Sequence, residues 1–105
     1  MVVISYTTIR NYTPENDSNQ TLIEGLNSWY LKMTKGDFAN LSELKAAFNT
    51  VDYVGSDRYV FNILGNNYRL IALIHFDKRT SYVLFIGTHK EYDKVDAKNV
   101  LFKKS

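Results

Sequence analysis

The feature that most constrains this chain is a change of hydrophobic period near its middle. Leu22, Ile23, Leu26, Trp29, Tyr30 and Met33 fall on one stripe of a helical repeat. From Val51 onward, aromatic and β-branched segments are instead broken by turn residues at Gly55-Ser56-Asp57, Gly65-Asn66-Asn67 and Asp77-Lys78-Arg79-Thr80. A helix must bury its apolar stripe and a half-buried sheet must cover its apolar face. Helical residues followed by hairpins therefore imply an α+β domain, with N-terminal helices packed on one face of a small, mainly antiparallel β-sheet. At 105 residues, the length suits one such domain over residues 1–105 and effectively excludes two.

Local signals refine this outline. Val2, Val3 and Ile4 form a short β-branched run that needs strand partners elsewhere, and residues 6–12 can make two helical turns before Pro14. Asp17 or Ser18 can cap the long helix, and Gly36 can end it. Gly25 inside that helix costs about 1 kcal/mol of intrinsic propensity, so tertiary packing must hold it. Asn40 followed by Glu43 has the spacing of a capping box, with Leu41, Leu44 and Phe48 on one face of a further short helix.

Hairpin arithmetic brings specific residues together. A four-residue loop over 77–80 sets Phe76 opposite Ser81, Leu73 opposite Leu84, Arg69 opposite Thr88 and Tyr68 opposite His89. A loop over 64–67 sets Ile63 opposite Tyr68 and Asn62 opposite Arg69. One row across three strands then reads Asn62, Arg69, Thr88, with His89 next along the chain. Phe61, Tyr68, Leu70, Ala72, Ile74, Phe76, Val83 and Phe85 take the other face, against the helices. The Arg69 face is expected to be open and polar at one end.

The segment GTHKEYDK, residues 87–94, holds a histidine, a tyrosine, two lysines and two acids just after a strand. Thr88 and Glu91 again have capping-box spacing, which predicts one helical turn over 90–94. Histidine titrates near neutral pH and can act as general base or acid, while arginine keeps its charge and can grip a phosphate with two parallel hydrogen bonds. Metal-free RNA cleavage needs a base for the 2′-OH, a cation for the added negative charge and an acid for the leaving 5′ oxygen. His89, Arg69 and Tyr92 fit these three tasks. Plainer roles fit the same residues: His89 as a surface or capping group, Tyr92 as a ring packed on the sheet edge, Arg69 in a salt bridge to Asp93 or Glu91. His75 reads as structural, and Lys98, Lys103 and Lys104 as a solvated tail able to add a phosphate contact.

Charge and composition narrow the classes. With 13 Lys+Arg against 11 Asp+Glu the formal net charge is +2, which excludes a histone-like mode of nucleic-acid binding. Residues 1–50 carry 4 basic and 5 acidic side chains and residues 51–105 carry 9 and 6, so a polyanion contact is expected in the second half. The lack of cysteine removes disulfides, thiolate nucleophiles and cysteine-ligated zinc. The two histidines lie in no metal-ligand spacing, and no cofactor is expected. No apolar run suits a membrane span or signal peptide, so a cytoplasmic domain is expected.

Two blocks, VFNILGNNYRL (60–70) and FIGTHKEYDK (85–94), closely resemble the HigB-type toxins of bacterial type II toxin–antitoxin systems. The opening VVIS, the tryptophan-bearing helix and the ELKAAF segment occur in the same order. The resemblance implies a RelE-superfamily fold, endoribonuclease activity on mRNA in the ribosomal decoding site, and neutralisation by a cognate helix-turn-helix antitoxin of HigA type. It implies catalytic roles for Arg69, His89 and Tyr92, places Asp93 in the final block, and makes Asn62, Asn66, Lys90 and Lys94 candidates for holding RNA. One position departs: where the family pattern reads YIRFIGTH, this chain reads YVLFIGTH, with Leu84 in place of an arginine. That departure raises as alternatives a catalytically weakened or inactive RNA- or ribosome-binding homologue, or a nuclease that uses Lys90 or Lys94 instead. A third reading is a partner-only protein whose patch of Ile71, Leu73, Leu84 and Ile86 docks an antitoxin segment.

Overall fold

The computed structural model describes residues 1–4, 20–65 and 67–97. The expected helix over 6–12, the Asp17 or Ser18 cap, Asn66 and the lysines at 98, 103 and 104 lie outside the described residues. The elements run β1 (Val2–Ile4), α1 (Gln20–Lys35), α2 (Leu41–Ala47), β2 (Asp52–Gly55), β3 (Arg58–Ile63), β4 (Tyr68–His75), a 3₁₀ turn (Phe76–Lys78), β5 (Thr80–Thr88) and α3 (His89–Tyr92). The five strands form one sheet in the order β1-β5-β4-β3-β2. Strands β2 to β5 make the expected antiparallel meander. β1 finds its partner by lying parallel to β5, with Val3 opposite Ser81. This is an α+β fold with α1 and α2 on one sheet face and Tyr92 of α3 packed on the other. No helix among the described residues is long and apolar enough to cross a membrane.

The stripe of α1 does what its period requires. Leu22, Leu26, Trp29 and Met33 are buried against Phe61, Ile63, Leu70, Ala72, Ile74 and Val83 of the sheet. The Trp29 and Phe61 rings meet edge to face at 5.4 Å, and Phe48 closes on Phe61 at 5.1 Å, geometries that aromatic quadrupoles favour. Gly25 lets the helix approach the sheet: a Cβ there would stand 3.1 Å from both Ile63 Cγ2 and Leu64 Cδ2. The close contact offsets the glycine's poor helix propensity. Asn40 Oδ1 accepts from the Glu43 amide at 3.0 Å, and Glu43 Oε1 accepts from the Ala39 amide at 2.7 Å. The N-cap forms as expected, while the reciprocal bond reaches one residue further back.

The β3–β4 register agrees with the hairpin arithmetic, pairing Asn62 with Arg69 and Ile63 with Tyr68. The β4–β5 register does not. The 3₁₀ turn draws Phe76 into the connection, so His75 pairs with Thr80, Ile74 with Ser81 and Leu73 with Tyr82. Ala72 pairs with Val83 and Ile71 with Phe85, which leaves Leu84 as an extra residue in a β-bulge. Beyond it Arg69 pairs with Gly87 and Tyr68 with Thr88.

The bulge reverses which face each following residue takes. Leu84 and Phe85, though consecutive, both belong to the apolar cluster on the face away from α1, with Val60 and Ile71. Ile86 turns to the helix side. The expected placement of Phe85 against the helices is therefore corrected, as is that of Ile86 beside Ile71. The patch proposed for partner docking is not an open surface: Ile71 is fully buried, Leu84 is only 5% exposed, and Tyr92, Val95 and Ala97 pack against the cluster from the segment after β5.

Candidate active site

The candidate site occupies the end of the sheet face opposite α1. Cross-strand pairing puts Asn62, Arg69 and Gly87 in one row, with glycine where the arithmetic expected Thr88. Thr88 stands one residue on and caps α3. Its Oγ1 accepts from the Glu91 amide at 3.2 Å while Glu91 Oε1 accepts from the Thr88 amide at 2.7 Å, the capping box that the spacing implies. The turn spans His89–Tyr92, starting one residue before the expected one. His89 donates its amide to the Asn67 carbonyl at 3.2 Å, which ties the start of α3 to the β3–β4 turn.

This arrangement brings two of the three proposed catalytic residues into direct contact. The Arg69 guanidinium carbon lies 6.0 Å over the centre of the Tyr92 ring, within cation–π range. Arg69 Nη1 also donates to the Tyr68 carbonyl at 3.4 Å. Both residues are half-buried, whereas His89, Lys90, Asp93 and Lys94 are exposed. His89 follows Thr88 on the same turn, and its Nε2 lies 3.6 Å from Asp93 Oδ2. The pair is too exposed to add much stability, and at 3.6 Å it sets a carboxylate near the imidazole without a hydrogen bond between them. Asn62 is half-buried beside Arg69 in the row. A cleft of about 280 Å³, lined by Lys32, Phe48, Thr50 and Phe61 among others, adjoins the row only through Asn62.

Chemically, the site offers a fixed cation, a titratable imidazole with a carboxylate beside it, a phenol and exposed lysines at one end of a sheet. Among the described residues no three His, Cys, Asp or Glu side chains converge as a metal site would require. His75 lies at the other end of β4 and meets Tyr82 edge to face at 6.0 Å. Two residues that the arithmetic placed on the opposite face are Gly87 and Phe85. A Cβ on Gly87 would stand 2.5 Å from Phe85 Cζ, so the phenyl ring fills the side-chain slot across from Arg69. The glycine was visible in the sequence; the parity of Phe85 was not.

Comparison with known proteins points the same way. The family described as HigB toxin, RelE-like toxic component of a toxin–antitoxin system, matches residues 23–95. The mRNA interferase toxin HigB of Escherichia coli K12 is 39% identical over 64 residues, 58% of this chain and 61% of that protein. The mRNA interferase HigB of Shigella flexneri matches to the same extent. The mRNA interferase HigB of Escherichia coli O6:H1 is 36% identical over 72 residues, 67% of this chain and 70% of that protein. The match thus spans about three fifths of the length of the first two relatives.

Proposed function

The chain belongs to the HigB toxin family of RelE-like toxic components of toxin–antitoxin systems, and from that premise we propose that it is an mRNA interferase, a metal-independent endoribonuclease acting on the translating ribosome. The observation that carries this reading is the contact of Arg69 with Tyr92 at 6.0 Å, on the same helical turn as His89. Relatives that share the matched region bear the name mRNA interferase.

In the proposed reaction the 2′-OH of one nucleotide attacks the adjacent phosphorus and the bond from phosphorus to the 5′ oxygen breaks. The products are a 2′,3′-cyclic phosphate and a 5′-hydroxyl. His89 takes the 2′-OH proton, Arg69 balances the charge that grows on the phosphoryl oxygens, and Tyr92 supplies a proton to the leaving oxygen. Asn62, Lys90 and Lys94 hold the RNA around this centre, and the resemblance adds Asn66 to the RNA-holding set. None of these steps calls on a cofactor. The partner that restrains the toxin is a helix-turn-helix antitoxin of HigA type, and the place of action is the cytoplasm, where mRNA meets ribosomes. Expression without antitoxin should arrest growth, and Arg69→Ala or His89→Ala should relieve the arrest. Equal harmlessness of wild type and both variants would sink the catalytic reading.

Leu84 favours a second reading. The family pattern expects an arginine there, and this chain has a leucine packed with Val60 and Ile71. If that cation makes one charge-assisted contact in the transition state, its loss costs on the order of 2–4 kcal/mol, or roughly 30- to 1,000-fold in rate. The protein would then be a catalytically weakened or inactive homologue that still binds RNA or the ribosome. A large gain in cleavage by Leu84→Arg supports this second reading; an active wild type unchanged by the substitution removes it.

A further inference from the structure

The bulge at Leu84 puts an aromatic ring where the strand pattern alone would have put it on the opposite face. Phe85 pairs with Ile71 and joins the cluster on the Arg69 side of the sheet. Its Cζ lies 2.5 Å from where a Cβ on Gly87 would be. The ring therefore leans along β5 over a residue that has no side chain of its own, and Gly87 is the cross-strand partner of Arg69. Directly paired side chains in a sheet stand about 5 Å apart, so the tip of the Phe85 ring and the base of Arg69 are immediate neighbours. Phe85 is half-buried, and Glu91 Cβ and Oε1 also lie 3.1 Å from that Cβ position.

A fixed cation with an aromatic surface at its side is the pairing by which single-stranded nucleic acid is held: the cation takes the phosphate and the ring takes a base. We propose that Phe85 is a base-binding residue of the site, stacking a nucleobase next to the phosphate that Arg69 holds. Gly87 is the device that makes room for this ring. The assignment rests on the reading of the site as an RNA nuclease and adds a nucleobase subsite to it. Stacking on an aromatic ring tolerates any base, so the subsite would contribute affinity more than sequence choice.

The test is single-turnover cleavage of a synthetic RNA that spans a mapped cut, given free or on ribosomes as the wild type requires. The RNA is used intact or with an abasic nucleotide on one or the other side of the scissile phosphate. For wild type, one abasic RNA should react about 5- to 150-fold more slowly than intact RNA, the range expected for losing one stacked base. Phe85→Leu should slow intact RNA to a similar degree and show no further loss with that abasic RNA. Phe85→Trp should keep most of the rate, and thermal melting of both variants shows that they are folded. A Phe85→Leu variant that cuts intact RNA like wild type, or whose loss simply multiplies with the abasic loss, overturns the assignment while leaving the nuclease reading in place. A wild type that cuts no RNA overturns the nuclease reading and the assignment with it.

Discussion

The guanidinium of Arg69, near the start of β4, lies 6.0 Å over the ring of Tyr92 from α3. Two distant segments are thereby held together, with His89 carried on the same turn as Tyr92. The contact supplies modest energy, about 0.5–1 kcal/mol at an accessible site. Its main effect is to hold the guanidinium beside the turn that carries His89.

Removal of that cation should be the most damaging single change. Arg69→Ala is expected to lower the rate of RNA cleavage about 100- to 1,000-fold, with little restored by Arg69→Lys because a lysine cannot present two parallel donors. His89→Ala should cost a comparable factor, and Asp93→Asn a smaller one, since it removes only the negative charge 3.6 Å from His89 Nε2. Single-turnover rates of the four variants check this order.

The capping box at Thr88 links stability to geometry. Thr88→Ala removes the acceptor for the Glu91 amide and should lower stability by about 0.5–2 kcal/mol. Because the same turn carries His89 and Tyr92, cleavage should fall even at temperatures where the variant is fully folded. Thermal melting measured alongside cleavage separates the two effects.

The outline of the fold was legible from the sequence because each element had its own signal. The α1 stripe, the caps at Asn40 and Thr88 and the β3–β4 register rest on spacing that only one structure satisfies. The β4–β5 register was not legible, for a physical reason. Strand register is read from alternation between apolar and polar residues, and Val83, Leu84, Phe85 and Ile86 are all apolar. Such a run gives no penalty for an extra residue, so the bulge at Leu84 leaves no mark. The cover over Leu84 could have been suspected from Tyr92 and Val95, two apolar residues one helical turn apart.

Leu84→Arg acquires a structural cost. Leu84 is 5% exposed and packed with Val60 and Ile71, so a guanidinium there must be buried or must displace the covering segment around Tyr92, Val95 and Ala97. A loss of roughly 2–4 kcal/mol is expected, a drop in melting temperature on the order of 10–25 °C. A melting temperature equal to that of wild type would show that the arginine reaches solvent without disturbing the cluster. Cleavage by this variant must be compared below both transitions.

Tyr59 sets an alkaline limit. Its hydroxyl is held above the usual 10.0 by burial, then by Tyr53 and Asp57. Between 10.0 and its raised value the folded chain binds more protons than the unfolded one, so this contribution is intact below pH 10 and is lost as pH rises further. Tyr59→Phe should make stability flatter above pH 10. Urea unfolding of both proteins at pH 8 to 11 measures the difference.

The central claim, that this chain cuts mRNA through Arg69, is tested most directly by primer-extension mapping of transcripts from cells induced for the chain without antitoxin. Wild type should give discrete new ends within translated regions, and Arg69→Ala at equal protein level should give none. The absence of new ends with wild type, or the same ends with Arg69→Ala, would contradict it.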